Sequence, residues 1–175
     1  MFSKYRLRCY IMNEYNKNGC NTTNDGYSDR KPVCDRQIVL NVASGGAGPL
    51  PVITTLLAGH INVVSAAIDT TGMGNTNNLL TFTGIINLPL GISVTLNFQI
   101  QRVINNGTPM NIGSSYTFAT TVNILESESF SFQFMDADMK EGYYLYSVSL
   151  STNSVIDVTP GATVNGVLSV LAIAV

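Results

Sequence analysis

Apolar and polar residues alternate along much of this chain. Ile92, Val94, Leu96, Phe98 and Ile100 interleave with Ser93, Thr95, Asn97, Gln99 and Gln101. Period two puts one face on a core and the other toward water, so residues 91–103 are predicted to form a strand. Phe130, Phe132 and Phe134 against Ser129, Ser131 and Gln133 repeat the pattern. Tyr144, Tyr146, Val148 and Leu150 alternate with Leu145, Ser147, Ser149 and Ser151. Shorter β-rich runs fall at residues 37–42, 52–57, 61–68, 79–87, 115–121 and 163–175.

Turn signals separate the runs. Asn105-Asn106-Gly107 follows the longest strand, where Asn-Gly is expected to supply the positive φ angles of a tight hairpin. Loops are predicted at residues 44–49, 71–75, 140–142 and 159–161, each containing glycine. No segment has helical periodicity. Eight to ten short strands at roughly ten-residue spacing predict an all-β fold, a β-sandwich or jelly roll.

The last strand differs from the others. Residues 167–175 are apolar on both faces, broken by Ser169. One face fills the core; the other needs a cover, either a second layer or a neighbouring subunit. A central strand buried within one subunit is the alternative.

Charge divides the chain. Residues 1–36 hold seven of the nine Lys and Arg, four acids and all three cysteines, a balance of +3. Residues 37–175 hold Arg102 and Lys140 against seven acids, a balance of -5. Two regions follow: a basic, cysteine-bearing N-terminal arm over 1–36, and a sandwich domain over 37–175. Within the arm Tyr5, Leu7, Cys9 and Ile11 alternate with Lys4, Arg6 and Arg8. So short a segment buries its apolar face only against something else, and strand addition to an exposed sheet edge is one way. A disordered terminus, or an arm folded on its own body, is the alternative.

The inventory limits chemistry. Charged residues are 11% of the 175, yet mean hydropathy is +0.21, so the low charge does not signal disorder. With one His, no Trp and scattered carboxylates, neither an enzyme nor a cofactor is expected. His60 before a strand reads as structural or solvent-facing. Asp136, Asp138 and Glu141 share a segment, three carboxylates that could ligate a calcium ion, but the full ligand loop is missing and an ordinary polar turn is favoured. No apolar run reaches the length of a helical membrane span, and a net charge of -2 gives no general pull toward nucleic acid. Cys9, Cys20 and Cys34 lack metal-site spacing, and an odd count leaves at least one thiol without a partner in its own chain. Bonds to other copies suit them; reduced thiols are the alternative.

The strand over Glu141-Gly142-Tyr143-Tyr144-Leu145-Tyr146-Ser147-Val148-Ser149-Leu150, followed by the final Gly166-Val167-Leu168-Ser169-Val170-Leu171-Ala172-Ile173-Ala174-Val175, resembles the tumour-necrosis-factor-like or complement-like jelly rolls of bacterial spore surfaces. There a glycine turn leads into an aromatic strand and an apolar last strand sits at the oligomer centre. The cysteine-bearing arm is similar to the connector of endospore-appendage subunits, which reaches a preceding subunit and is cross-linked by disulfides. The resemblance implies a structural, self-assembling subunit of an extracellular fibre or spore-surface layer, with itself as partner. Tyr5, Leu7 and Ile11 would be the anchors, and Cys9, Cys20 and Cys34 the intersubunit bonds. The basic start, Met1 to Arg6, is not followed by an apolar stretch of signal-peptide type, so release by mother-cell lysis is the expected route outward. Two alternatives are a trimeric binding module for a receptor or carbohydrate, and a phage or capsid-type jelly roll.

Overall fold

The computed structural model describes residues 37–50, 60–89, 93–121, 126–151 and 162–175. These residues form eight strands: β1 (Ile38–Ala47), β2 (Ile61–Asp69), β3 (Thr76–Leu88), β4 (Ser93–Ile104), β5 (Met110–Thr121), β6 (Glu126–Met139), β7 (Tyr143–Ser151) and β8 (Thr163–Ala174). One sheet has the order β1-β8-β3-β6 and the other β2-β7-β4-β5. All pairs are antiparallel. The pairs β1 with β8, β2 with β7, β3 with β6 and β4 with β5 nest inside one another, as a long hairpin rolled into two layers. This is a jelly-roll winding, one of the two architectures that the strand spacing allows and the one that the resemblance implies.

The alternation does what period two requires. Leu96, Phe98 and Ile100 of β4 face Leu80, Phe82 and Ile86 of β3 and Val164, Leu168, Val170 and Ala172 of β8 across a shared core. Each such side chain contributes about 1.5–3 kcal/mol by leaving water. Phe82 stacks near Phe132 at 5.1 Å and tilts toward Phe98 at 5.6 Å, so the aromatic rings bridge the layers.

Three expectations change. Residues 44–47 are strand and not loop: β1 runs through Gly45 and Gly46 to Ala47. Gly45 stands so close to β2 that a Cβ there would lie 2.3 Å from Val63 O, so this glycine serves close approach of two backbones. In the β4–β5 turn the positive φ angles belong to Asn105 (47°) and Asn106 (61°), while Gly107 N donates to Ile104 O at 2.8 Å. Thirdly, β8 is central by pairing but is not covered on both faces: Leu168, Val170 and Ala172 are buried, while Val167 is exposed. The strand predicted over residues 52–57 and the loop at 159–161 lie outside the described residues.

One end of the sandwich collects the turns. Gly142 O accepts from Thr70 N, Asn105 N donates to Tyr143 O, and Val175 N donates to Asn75 O. Gln37, the first described residue, accepts from Ala174 N at this same end. The arm therefore joins the body beside the tip of β8.

Candidate assembly surface

The register of the first sheet defines its outer face. Ile38, Leu40 and Val42 point outward on β1, opposite Ile173, Leu171 and Ser169 of β8. Leu171 in turn faces Leu79 of β3, and Leu79 faces Met135 of β6. The result is an apolar row, Leu40-Leu171-Leu79-Met135, crossing all four strands. Val167 and Ile85 add to it further along. Ile38, Leu40, Val42, Val167, Ile85 and Met135 are between 40% and 53% exposed.

The polar positions between them are hydroxyls and amides. Ser44, Ser169, Thr81, Thr83, Gln133, Ser131 and Ser129 are among them. Over Ile38 to Gly46 on β1, Thr163 to Ile173 on β8, Asn77 to Asn87 on β3 and Ser127 to Met135 on β6, no outward position is charged. Six of the nine large apolar side chains exposed among the described residues sit here. Surfaces of this kind mark interaction sites on soluble proteins.

The opposite outer face is different. On the second sheet Asn97, Gln99, Gln101, Ser65 and Ser147 stand outward. Their polar groups serve their neighbours: Gln99 Nε2 donates to Ile112 O at 2.9 Å, Gln101 Nε2 to Asn111 Oδ1 at 3.0 Å, and Ser65 and Ser147 share a 2.9 Å hydrogen bond.

The two sides of the sandwich also differ. On one side β1 leans on β2, and Asn41 Nδ2 donates to Ala67 O. On the other, β5 and β6 meet through side chains. Tyr116 stacks on Phe132 at 4.0 Å and 8°, Phe118 meets Phe130 edge-on at 5.8 Å, and Thr120 Oγ1 donates to Glu128 Oε1. β6 pairs with β3 alone, so among the described residues its far edge has no partner strand. This edge strand carries Glu126, Glu128, Asp136 and Asp138, four of the body's seven acids.

The three carboxylates of the supposed calcium turn do not converge. Arg102 Nη1 donates to Asp136 Oδ1 and Oδ2 at 2.7 and 2.8 Å, and Tyr146 Oη donates to Oδ2 at 2.8 Å. Asn78 Nδ2 completes the chain with a 2.9 Å bond to Tyr146 Oη. Asp136 is thus spoken for by a buried network from β3, β4, β6 and β7. Glu141 accepts from Gly72 N at 2.8 Å, and Asp138 takes a φ of 55° at the end of β6. Among the described residues no three His, Cys, Asp or Glu side chains gather as a metal site. Burial raises the Tyr146 hydroxyl pKa far above the usual phenol range; the hydrogen bond from Asn78 opposes this and the Asp136 charge adds to it.

Of the other residues singled out in the sequence, His60 is exposed immediately before β2. Lys4, Tyr5, Arg6, Leu7, Arg8, Cys9, Ile11, Cys20 and Cys34 lie outside the described residues. The uncharged face was only half visible in the sequence. The doubly apolar β8 pointed to it, but Leu79 and Met135 join it through pairing.

Comparison with known proteins gives distant likenesses. No curated protein matches the chain. A chain from the structure of infectious bursal disease virus Gx strain is similar at 11% identity and a TM-score of 0.45, over 87% of this chain and 36% of the viral one. This chain therefore spans about a third of that viral chain. The CBM22-1 xylan-binding domain from Paenibacillus barcinonensis Xyn10C is similar at 14% identity and a TM-score of 0.32, over 75% of this chain and 85% of that domain. A CBM4 structure is similar at 12% identity and a TM-score of 0.28, over 72% and 89% of the two chains. A family model matches residues 36–173, nearly the whole sandwich, and the chain belongs to that family, described as "Domain of unknown function (DUF4489)".

Proposed function

We propose that this protein is a structural, self-assembling subunit of an extracellular fibre, a spore appendage or surface layer. Each copy reaches the next through residues 4–11 of its arm, and Cys9, Cys20 and Cys34 bond the copies covalently. The observation that carries this reading is the β6 edge. It is the longest strand, it lacks a partner on one side among the described residues, and besides the Arg102-paired Asp136 it carries Glu126, Glu128 and Asp138. An extended segment added there satisfies backbone groups along the edge. The arm has the matching pattern and the opposite charge, +3 against -5, which favours the encounter at low salt.

A carbohydrate-binding role has less support. The amides of the second sheet are engaged with neighbours, and the exposed aromatic ring on that side, Tyr143, stands at the end of β7.

Electrophoresis with and without reductant tests the covalent part: a ladder collapsing to monomer is expected, and a monomer band under both conditions rejects it. Deleting residues 1–15 should abolish fibres in negative-stain images while leaving the sandwich folded. Fibres that persist reject the arm as the connector, and closed trimers in place of fibres favour the binding-module reading.

A further inference from the structure

We infer that the outer face of the β1-β8-β3-β6 sheet is a second contact between copies of this chain, an isologous one made about a two-fold axis. It is independent of the arm and would stand if the arm reading failed.

Three observations identify a second copy as the occupant. First, the face carries no charge, so the same face on another copy brings no like-charge repulsion and no buried ion to desolvate. Secondly, its size suits a stable contact. Four strands about 4.8 Å apart and some ten residues long at about 3.4 Å each give a footprint of roughly 650 Å². A standard interface takes about 800 Å² from each partner. Thirdly, the described residues offer no second patch to receive it. Outside this sheet, the remaining large apolar side chains exposed among the described residues are Met110 and Tyr143, with Val175 just past β8. A head-to-tail contact would press the apolar row against the amides and hydroxyls of the other sheet. Pairing the patch with itself buries apolar against apolar, and that arrangement closes as a dimer. The row Leu40-Leu171-Leu79-Met135 crosses all four strands, so two such faces can interdigitate as the layers of a sandwich do.

Sedimentation velocity on the full chain in reductant, over a range of protein concentration and of salt from low to molar, tests this. At high salt, where the arm contact is screened, a dimer is expected whose dissociation constant does not rise with further salt, because apolar burial is not screened. Leu40→Glu and, separately, Val42→Glu should each raise that constant at least tenfold with the thermal midpoint little changed. Both sites are exposed on an edge strand, so the fold should survive. The double variant Arg6→Glu, Arg8→Glu should keep the dimer while losing fibres if the arm reading holds. A monomer at every concentration, a trimer, or a dimer unmoved by both β1 variants would overturn the inference. Dissociation by salt, with the Arg6 and Arg8 changes abolishing the dimer, would assign the association to the arm instead and likewise reject the sheet face.

Discussion

Phe82 decides what can stand at position 166. A Cβ built on Gly166 would lie 2.5 Å from Phe82 Cε2 and 2.7 Å from Cζ, inside a ring that the core holds on all sides. Gly166→Ala should therefore cost about 1–3 kcal/mol through overpacking, read as a lower urea midpoint. Adding Phe82→Leu should recover part of the loss. The Arg102–Asp136 pair is a second decisive point. Both side chains are largely buried, so Arg102→Met leaves a carboxylate with no countercharge, a change that typically costs about 3–5 kcal/mol. Tyr146 adds a pH dependence. In the folded state its proton is held well above the usual phenol value, chiefly by burial. Above about pH 10 the unfolded chain releases that proton while the folded one keeps it, so stability falls as pH rises. Below that pH the contribution is fully present. Burial raises Tyr144 too, with the same sign. Urea melts between pH 9 and 11 should show a steep loss, and Tyr146→Phe should flatten it while lowering stability near neutral pH.

Elements carry their own lessons. β5 and β6 are neighbours held by rings, and the Tyr116–Phe132 stack is the closest of these contacts. A double-mutant cycle with Tyr116→Leu and Phe132→Leu should give a coupling of about 0.5–1.5 kcal/mol; a value near zero would show the stack to be incidental. The strands differ in how plainly they can be read from the chain. β4 was legible because each apolar residue has a polar neighbour and the core lies on one side only. β1 was cut short because glycine is a turn signal, whereas Gly45 is selected by its nearness to β2. The early half of β5, from Met110 to Ser115, holds few apolar residues and gave no periodic signal. β6 extends through Asp136 because Arg102, 34 residues away, neutralises it there; no local pattern can report such a partner. The assembly face had the same limit. Ile38, Leu40 and Val42 read as an apolar run, but their outward side is set by pairing with β8.

At the scale of the whole molecule, two proposed contacts respond to opposite forces. The sheet face is apolar and uncharged, and the arm is basic against an acidic body. Raising salt from 0.05 to 0.5 M, about a threefold shortening of the Debye length, should slow fibre growth in reductant while leaving the dimer intact; light scattering and sedimentation separate the two. The root of the arm at Gln37, beside the tip of β8, has a mechanical consequence. In the proposed fibre residues 12–36 would link residues 4–11 to that root, and a chain of that length reaches at most about 90 Å, roughly twice the ~40 Å length of β8. Neighbours strung on such leashes would have slack in that fibre. A pulled filament should stretch easily at first, stiffen once the leashes are taut, and gain extensibility when its sulfur bridges are reduced.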